Sequence, residues 1–158
     1  MKMSKFKIEV ISKKPEVIDG LLSHTGEITM GDYKETFVMP LNSWTIEDYK
    51  QQWKEGLERI KTHDRSCLVN LIQNMDANPM VEMWVLFKVD DIVYIGQRLL
   101  NRQLAGEFNY PIKFTNFNKE NCYQFIHDRI VNENGHGIAE DGDEISEWKV
   151  SLSAFDHY

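Results

Sequence analysis

One segment, residues 81–100 (VEMWVLFKVDDIVYIGQRLL), restricts the fold more than any other part of the chain. Two runs rich in Val, Ile, Phe and Tyr flank Asp90-Asp91, and this pattern predicts an antiparallel β-hairpin. The first run is apolar at every position from Met83 to Phe87. Since neighbouring side chains of a strand point to opposite faces, both faces must be covered. We therefore expect this strand to lie centrally in a sheet.

Other segments also have the composition of strands. Lys and Glu alternate with Phe, Ile and Val in residues 5–12 (KFKIEVIS), the pattern of a strand with one solvated face. Residues 26–41 (GEITMGDYKETFVMPL) predict two short strands separated by Gly31-Asp32, and Pro40 ends the second. Residues 66–73 and 144–153 predict two further strands.

Residues 40–63 (PLNSWTIEDYKQQWKEGLERIKTH) predict one long amphipathic helix over about residues 45–62. Thr45 and Asp48 have the spacing of a capping box at its start. The helix carries one apolar stripe, which we expect to dock on the sheet: Ile46, Tyr49, Trp53, Leu57 and Ile60. Apolar residues at helical spacing predict a shorter helix at about 118–130. We expect a single α+β domain spanning residues 1–158, with a mostly antiparallel sheet.

Charge and cysteine content bear on partners and compartment. The chain has 18 basic and 25 acidic residues and a net charge of −7. That charge argues against nucleic-acid binding by phosphate neutralisation and fits a basic partner.

Cys67 and Cys122 are isolated, as in a protein with reduced thiols. The first ten residues lack the apolar segment of a signal peptide, and no apolar run could span a bilayer. We expect a cytoplasmic protein without membrane contact.

Catalytic and metal-binding motifs are absent from the sequence. The five histidines are scattered singly, without the spacings typical of zinc sites. Neither cysteine lies in a nucleophile motif, and no phosphate-binding glycine loop follows a predicted strand. The sequence therefore predicts neither an enzyme nor a cofactor or metal site.

Acidic residues concentrate in one segment, residues 133–147, which contains no Lys or Arg. Its six carboxylates are Glu133, Glu140, Asp141, Asp143, Glu144 and Glu147. Such a segment is either a solvated loop or a surface for a cationic partner. Asp90 and Asp91 at the hairpin turn form a second candidate, although turns also favour aspartate for backbone reasons.

The order of several segments resembles the immunity proteins of bacterial contact-dependent growth inhibition systems. These segments cover residues 39–152: MPLNSWTIEDYKQQWKEGLERI, SCLV, WVLFKVDDIVYI, NCYQFI and GDEISEWKVSL. The resemblance implies a small cytoplasmic protein that binds the C-terminal toxin domain of its own system, commonly a nuclease. The acidic residues would then face the cationic cleft of the toxin.

The sequence is also compatible with two other function classes. A small hydrolase or transferase could assemble a site from scattered Asp, Glu and His residues, and it would have a deep pocket with convergent titratable groups. An adaptor module would instead bind a peptide. An exposed acidic surface would favour the immunity function over the enzyme, and a clear fall in affinity with rising ionic strength would favour it over the adaptor.

Overall fold

A computed structural model of the chain describes residues 5–73, 80–101 and 147–158. The strands in chain order are β1 Phe6–Val10, β2 Glu16–Ile18, β3 Leu21–Met30, β4 Tyr33–Pro40, β5 Arg65–Gln73, β6 Met80–Val89, β7 Ile92–Asn101 and β8 Trp148–Ser151. Helix α1 spans Ile46–Thr62, and a 3₁₀ turn spans Leu152–Phe155. The predicted α+β class is confirmed. The second predicted helix, 118–130, lies outside the described residues.

The strands form two antiparallel sheets. In the first sheet, β3 pairs with β4 on one side and with β1 and β2 on the other. The second sheet has the order β5-β6-β7-β8. Apolar side chains from both sheets, α1 and the 3₁₀ turn form one buried core. The two sheets and the helix therefore share a single hydrophobic core.

The hairpin prediction is confirmed by β6 and β7. Strand β6 lies between β5 and β7, and its side chains from Met83 to Phe87 are buried at every position. Asp90-Asp91 forms the two-residue turn between the paired residues Val89 and Ile92. Asp90 has a φ of +54°, a left-handed conformation that Asp adopts more easily than most residues.

The predicted capping box of α1 is also confirmed. The Thr45 hydroxyl accepts a hydrogen bond from the Asp48 backbone N–H at 3.2 Å, and the Asp48 carboxylate accepts one from the Thr45 N–H at 3.0 Å. Four residues of the predicted stripe are buried; the fifth, Ile46, is half-buried. The cap and the stripe together fix where the helix begins and which face it buries.

Helix α1 also makes polar contacts that the stripe does not predict. The Gln52 side-chain amide donates to the Cys67 carbonyl at 3.0 Å and accepts from the Val69 N–H at 2.6 Å. A neighbouring strand would make the same two bonds. The Trp53 indole N–H donates to the Val69 carbonyl at 2.7 Å, and the Tyr49 hydroxyl accepts from the Ile72 N–H at 3.0 Å. The helix therefore covers the outer edge of β5, which protects the edge from pairing with another chain.

Candidate protein-binding surface

The turn between β6 and β7 presents two carboxylates to solvent. Asp90 and Asp91 are both exposed, and neither carboxylate forms an ion pair with a described residue. The Asp91 carbonyl accepts a hydrogen bond from the Leu152 N–H at 2.8 Å, so the turn is tied to the 3₁₀ turn after β8. The backbone that carries these carboxylates is thus held in place by its neighbours.

A third carboxylate, that of Asp64, lies at the same end of the second sheet. Asp64 follows His63, the C-cap residue of α1, and its backbone carbonyl accepts a hydrogen bond from the Lys88 N–H at 2.7 Å. The Lys88 ammonium group donates to the Ile60 carbonyl at 3.1 Å. This carbonyl lies in the last turn of α1, where the helix dipole stabilises a positive charge. Asp64 is exposed and has no ion pair with a described residue. We call Asp64, Asp90 and Asp91 the acidic end.

Asp64 did not stand out in the sequence, since it is a single acidic residue in a loop after a helix. Its position beside the hairpin depends on the return of β5 along β6, and the register that places Arg65 opposite Phe87 sets it. Composition and spacing carry no signal for this register.

The acidic segment 133–147 is described only at its last residue. Glu147 is half-buried and directly precedes β8, whose Trp148 pairs with Ile95. The other end of β8, at Ser151, pairs with Ile92 beside the turn. Glu147 therefore lies about four residues, or roughly 13 Å, along the sheet from the acidic end. Five predicted contact residues lie outside the described residues: Glu133, Glu140, Asp141, Asp143 and Glu144.

The described surface has two clefts large enough to be considered as sites for a small molecule. The larger, about 670 Å³, lies over β1 and the first sheet and is lined by both cations and carboxylates, with Lys7 and Glu9 in an ion pair at 3.3 Å. The smaller, about 230 Å³, lies between β1 and α1 and has an apolar floor that includes Trp53 and Leu57. Within residues 5–73, 80–101 and 147–158, no three Asp, Glu, His or Cys side chains form a group that could hold a metal ion.

Cys67 is buried and forms no disulfide with a described residue, while Cys122 lies outside the described residues. None of the helices in the described ranges is long and apolar enough to cross a membrane. The feature of the described surface that could contact a partner is therefore the acidic end, the exposed carboxylates of Asp64, Asp90 and Asp91.

Comparison with known proteins identifies the family. Residues 39–158 match the CdiI N-terminal domain. The chain belongs to this family. The match covers most of the chain and includes the segments that carry the resemblance to immunity proteins of contact-dependent growth inhibition systems, so that resemblance is confirmed.

A curated relative and a solved structure agree with the family assignment. The immunity protein CdiI of Enterobacter cloacae subsp. cloacae is 28% identical over 147 residues, which are 92% of this chain and 91% of that protein. The CdiA-CT/CdiI toxin and immunity complex from Enterobacter cloacae contains a chain that superposes with a TM-score of 0.74. That chain is 26% identical, and the superposition covers 96% of this chain and 94% of that one.

Proposed function

We propose that this protein is an immunity protein that binds the C-terminal toxin domain of its own CdiA protein and neutralises it. The superposition on a chain of a toxin and immunity complex, over nearly the full length of both chains, is the observation that carries the proposal. Neutralisation proceeds by stoichiometric association, without turnover and without a cofactor. The whole chain, residues 1–158, acts as one binding domain in the cytoplasm, where an incoming toxin must be captured.

The toxin is proposed to be a basic nuclease, and more specifically a ribonuclease. An enzyme that binds RNA presents cationic groups to the phosphates, and carboxylates can occupy the same groups. The net charge of −7 and the exposed acidic end support this complementarity. Complementary charge raises the association rate more than it raises the final affinity, which favours early capture of the toxin.

Neutralising the acidic end tests this electrostatic contribution. We expect the triple variant Asp64→Asn, Asp90→Asn, Asp91→Asn to associate with the toxin domain about tenfold more slowly at low salt, because the long-range attraction weakens. The dissociation rate should change much less. Stopped-flow or surface plasmon resonance measurements between 20 and 500 mM salt give both rates. The difference in association rate between the variant and wild type should shrink as salt screens the charges.

The matched control removes three exposed carboxylates from the first sheet, with Glu16→Gln, Asp19→Asn and Asp32→Asn. It changes the net charge by the same amount at another place. Equal association rates for the two triple variants would show that only total charge matters, and the acidic end would lose its assigned role.

The segment 133–147 is tested in the same assay. Replacing Glu140, Asp141, Asp143 and Glu144 together by Gln or Asn should slow association and weaken protection of toxin-producing cells, because four of its six carboxylates are lost. Wild-type rates and full protection would remove this segment from the interface, while the immunity function itself would stand.

A further inference from the structure

The second sheet contains a carboxylate that is held by two side-chain amides. Glu82 lies on β6, eight residues or about 26 Å along the chain from Asp90, so it belongs to the other end of the sheet. Asn70 Nδ2 donates to Glu82 Oε1 at 2.7 Å, and Gln97 Nε2 donates to the same oxygen at 2.9 Å. Three neighbouring strands, β5, β6 and β7, thus fix the orientation of one side chain.

A β-bulge supplies one of the two amides. The register of β5 against β6 shifts between Val69 and Leu71, which leaves Asn70 as the extra residue. Asn70 is fully buried, and its side chain reaches Glu82. Bulges commonly re-aim side chains beside functional sites, and this bulge positions a donor for a carboxylate.

The group of Asn70, Glu82 and Gln97 has more acceptors than donors. Both amides donate to Oε1 of Glu82, and Asn70 Oδ1 is buried without a hydrogen-bond partner. Among the described residues, no Lys, Arg or His forms an ion pair with Glu82. A half-buried carboxylate without a cation is incompletely compensated, and a donor that carries positive charge would complete it.

Glu82 is only half-buried, so part of its surface is open to solvent. Its cross-strand partner on β7 is Leu99, which is 39% exposed, and its partner on β5 is the half-buried Leu71. A partly exposed carboxylate among apolar side chains is shielded from water more than a carboxylate at a turn. A cation that docks there therefore interacts more strongly than one at the acidic end.

We propose that Glu82 is an anchor for one lysine or arginine side chain of the bound toxin domain. This inference rests on the proposed function and adds a short-range contact to it. Because the two amides hold the carboxylate in place before binding, little side-chain freedom is lost when the cation arrives. Loss of this contact should act mainly on the dissociation rate, whereas loss of the acidic end should act on the association rate.

Glu82→Gln tests the anchor directly. The glutamine carbonyl oxygen can still accept from Asn70 and Gln97, so the variant removes the charge and keeps the network. We expect the dissociation rate of the toxin complex to rise at least tenfold, with an association rate close to wild type. The control Glu27→Gln removes a half-buried carboxylate from β3 and should leave the dissociation rate unchanged.

A second variant guards against a folding effect of the first. Leu99→Lys places an ammonium group directly across from Glu82 without altering the network, and it should also raise the dissociation rate at least tenfold. Thermal melting of each variant shows whether it is folded. Dissociation at the wild-type rate by either folded variant would overturn the anchor. If wild type itself does not bind the toxin domain, the proposed function fails, and the anchor fails with it.

Discussion

Gly56→Ala is expected to lower the free energy of unfolding by about 2 kcal/mol or more. A Cβ atom at residue 56 would lie 2.2 Å from the backbone carbonyl oxygen of Cys67 and 2.8 Å from Cδ2 of Leu68. Rotating the carbonyl away would break the hydrogen bond that it accepts from Gln52 at 3.0 Å. The helix must therefore move off β5, and the Ser66 hydroxyl would lose its 2.7 Å bond to the Gly56 carbonyl.

Urea titration followed by circular dichroism measures this loss. The sign of the change in unfolding free energy is informative, because Gly→Ala in an exposed helix interior normally stabilises a protein by about 1 kcal/mol. Glu55→Ala, one position earlier and exposed, is the matched control and should leave stability nearly unchanged. A Gly56→Ala variant as stable as wild type would mean that α1 does not lie this close to β5.

Gln52→Met is expected to lower the free energy of unfolding by roughly 2–6 kcal/mol. Methionine has a similar volume but cannot form the two hydrogen bonds of the Gln52 amide. The Val69 N–H and the Cys67 carbonyl would then be buried without this partner, and each such group costs about 1–3 kcal/mol. The same urea titration measures the change.

Gln51→Met provides a control of identical chemistry at the adjacent residue. Gln51 is exposed, and its side-chain amide donates to the Glu55 carboxylate within the helix at 3.1 Å, so we expect a change within about 0.5 kcal/mol. Equal stabilities of the two methionine variants would contradict the role of Gln52 as a substitute for a strand. A large difference would show that the two bonds of the Gln52 amide stabilise the packing of α1 on the edge of β5.

Much of the fold could be predicted because its signals are local. The period of α1 and the capping residues Thr45 and Asp48 are contained within a few turns of chain. The turn at Asp90-Asp91 is equally local, and the uninterrupted apolar run of β6 is explained by burial on both faces. Each of these features follows from spacing and residue type alone.

The polar contacts of α1 could not be predicted in this way. Gln52 and Gly56 lie beside the apolar stripe, and an amphipathic pattern assigns them no role. Their importance comes from the outer edge of β5, a strand that the sequence cannot place against this side of the helix. The structure supplies the 3.0 Å bond and the close approach that explain both residues.

The candidate surface was predicted only in part for the same reason. Asp90 and Asp91 were found because a hairpin turn is exposed by its nature. Asp64 joins them through tertiary pairing. Glu82 is oriented by a bulge at Asn70 and by Gln97, which is fifteen residues further along the chain. Such contacts depend on strand register, which composition does not determine.

Rescue of growth is the decisive test of the proposed immunity function. The toxin domain encoded immediately upstream of the gene for this chain is produced in bacteria, with and without the full-length protein. We predict normal growth only when the protein is present, and the purified pair should form a one-to-one complex. Arrested growth in cells that contain the folded protein, with no complex between the purified partners, would contradict the proposed immunity function.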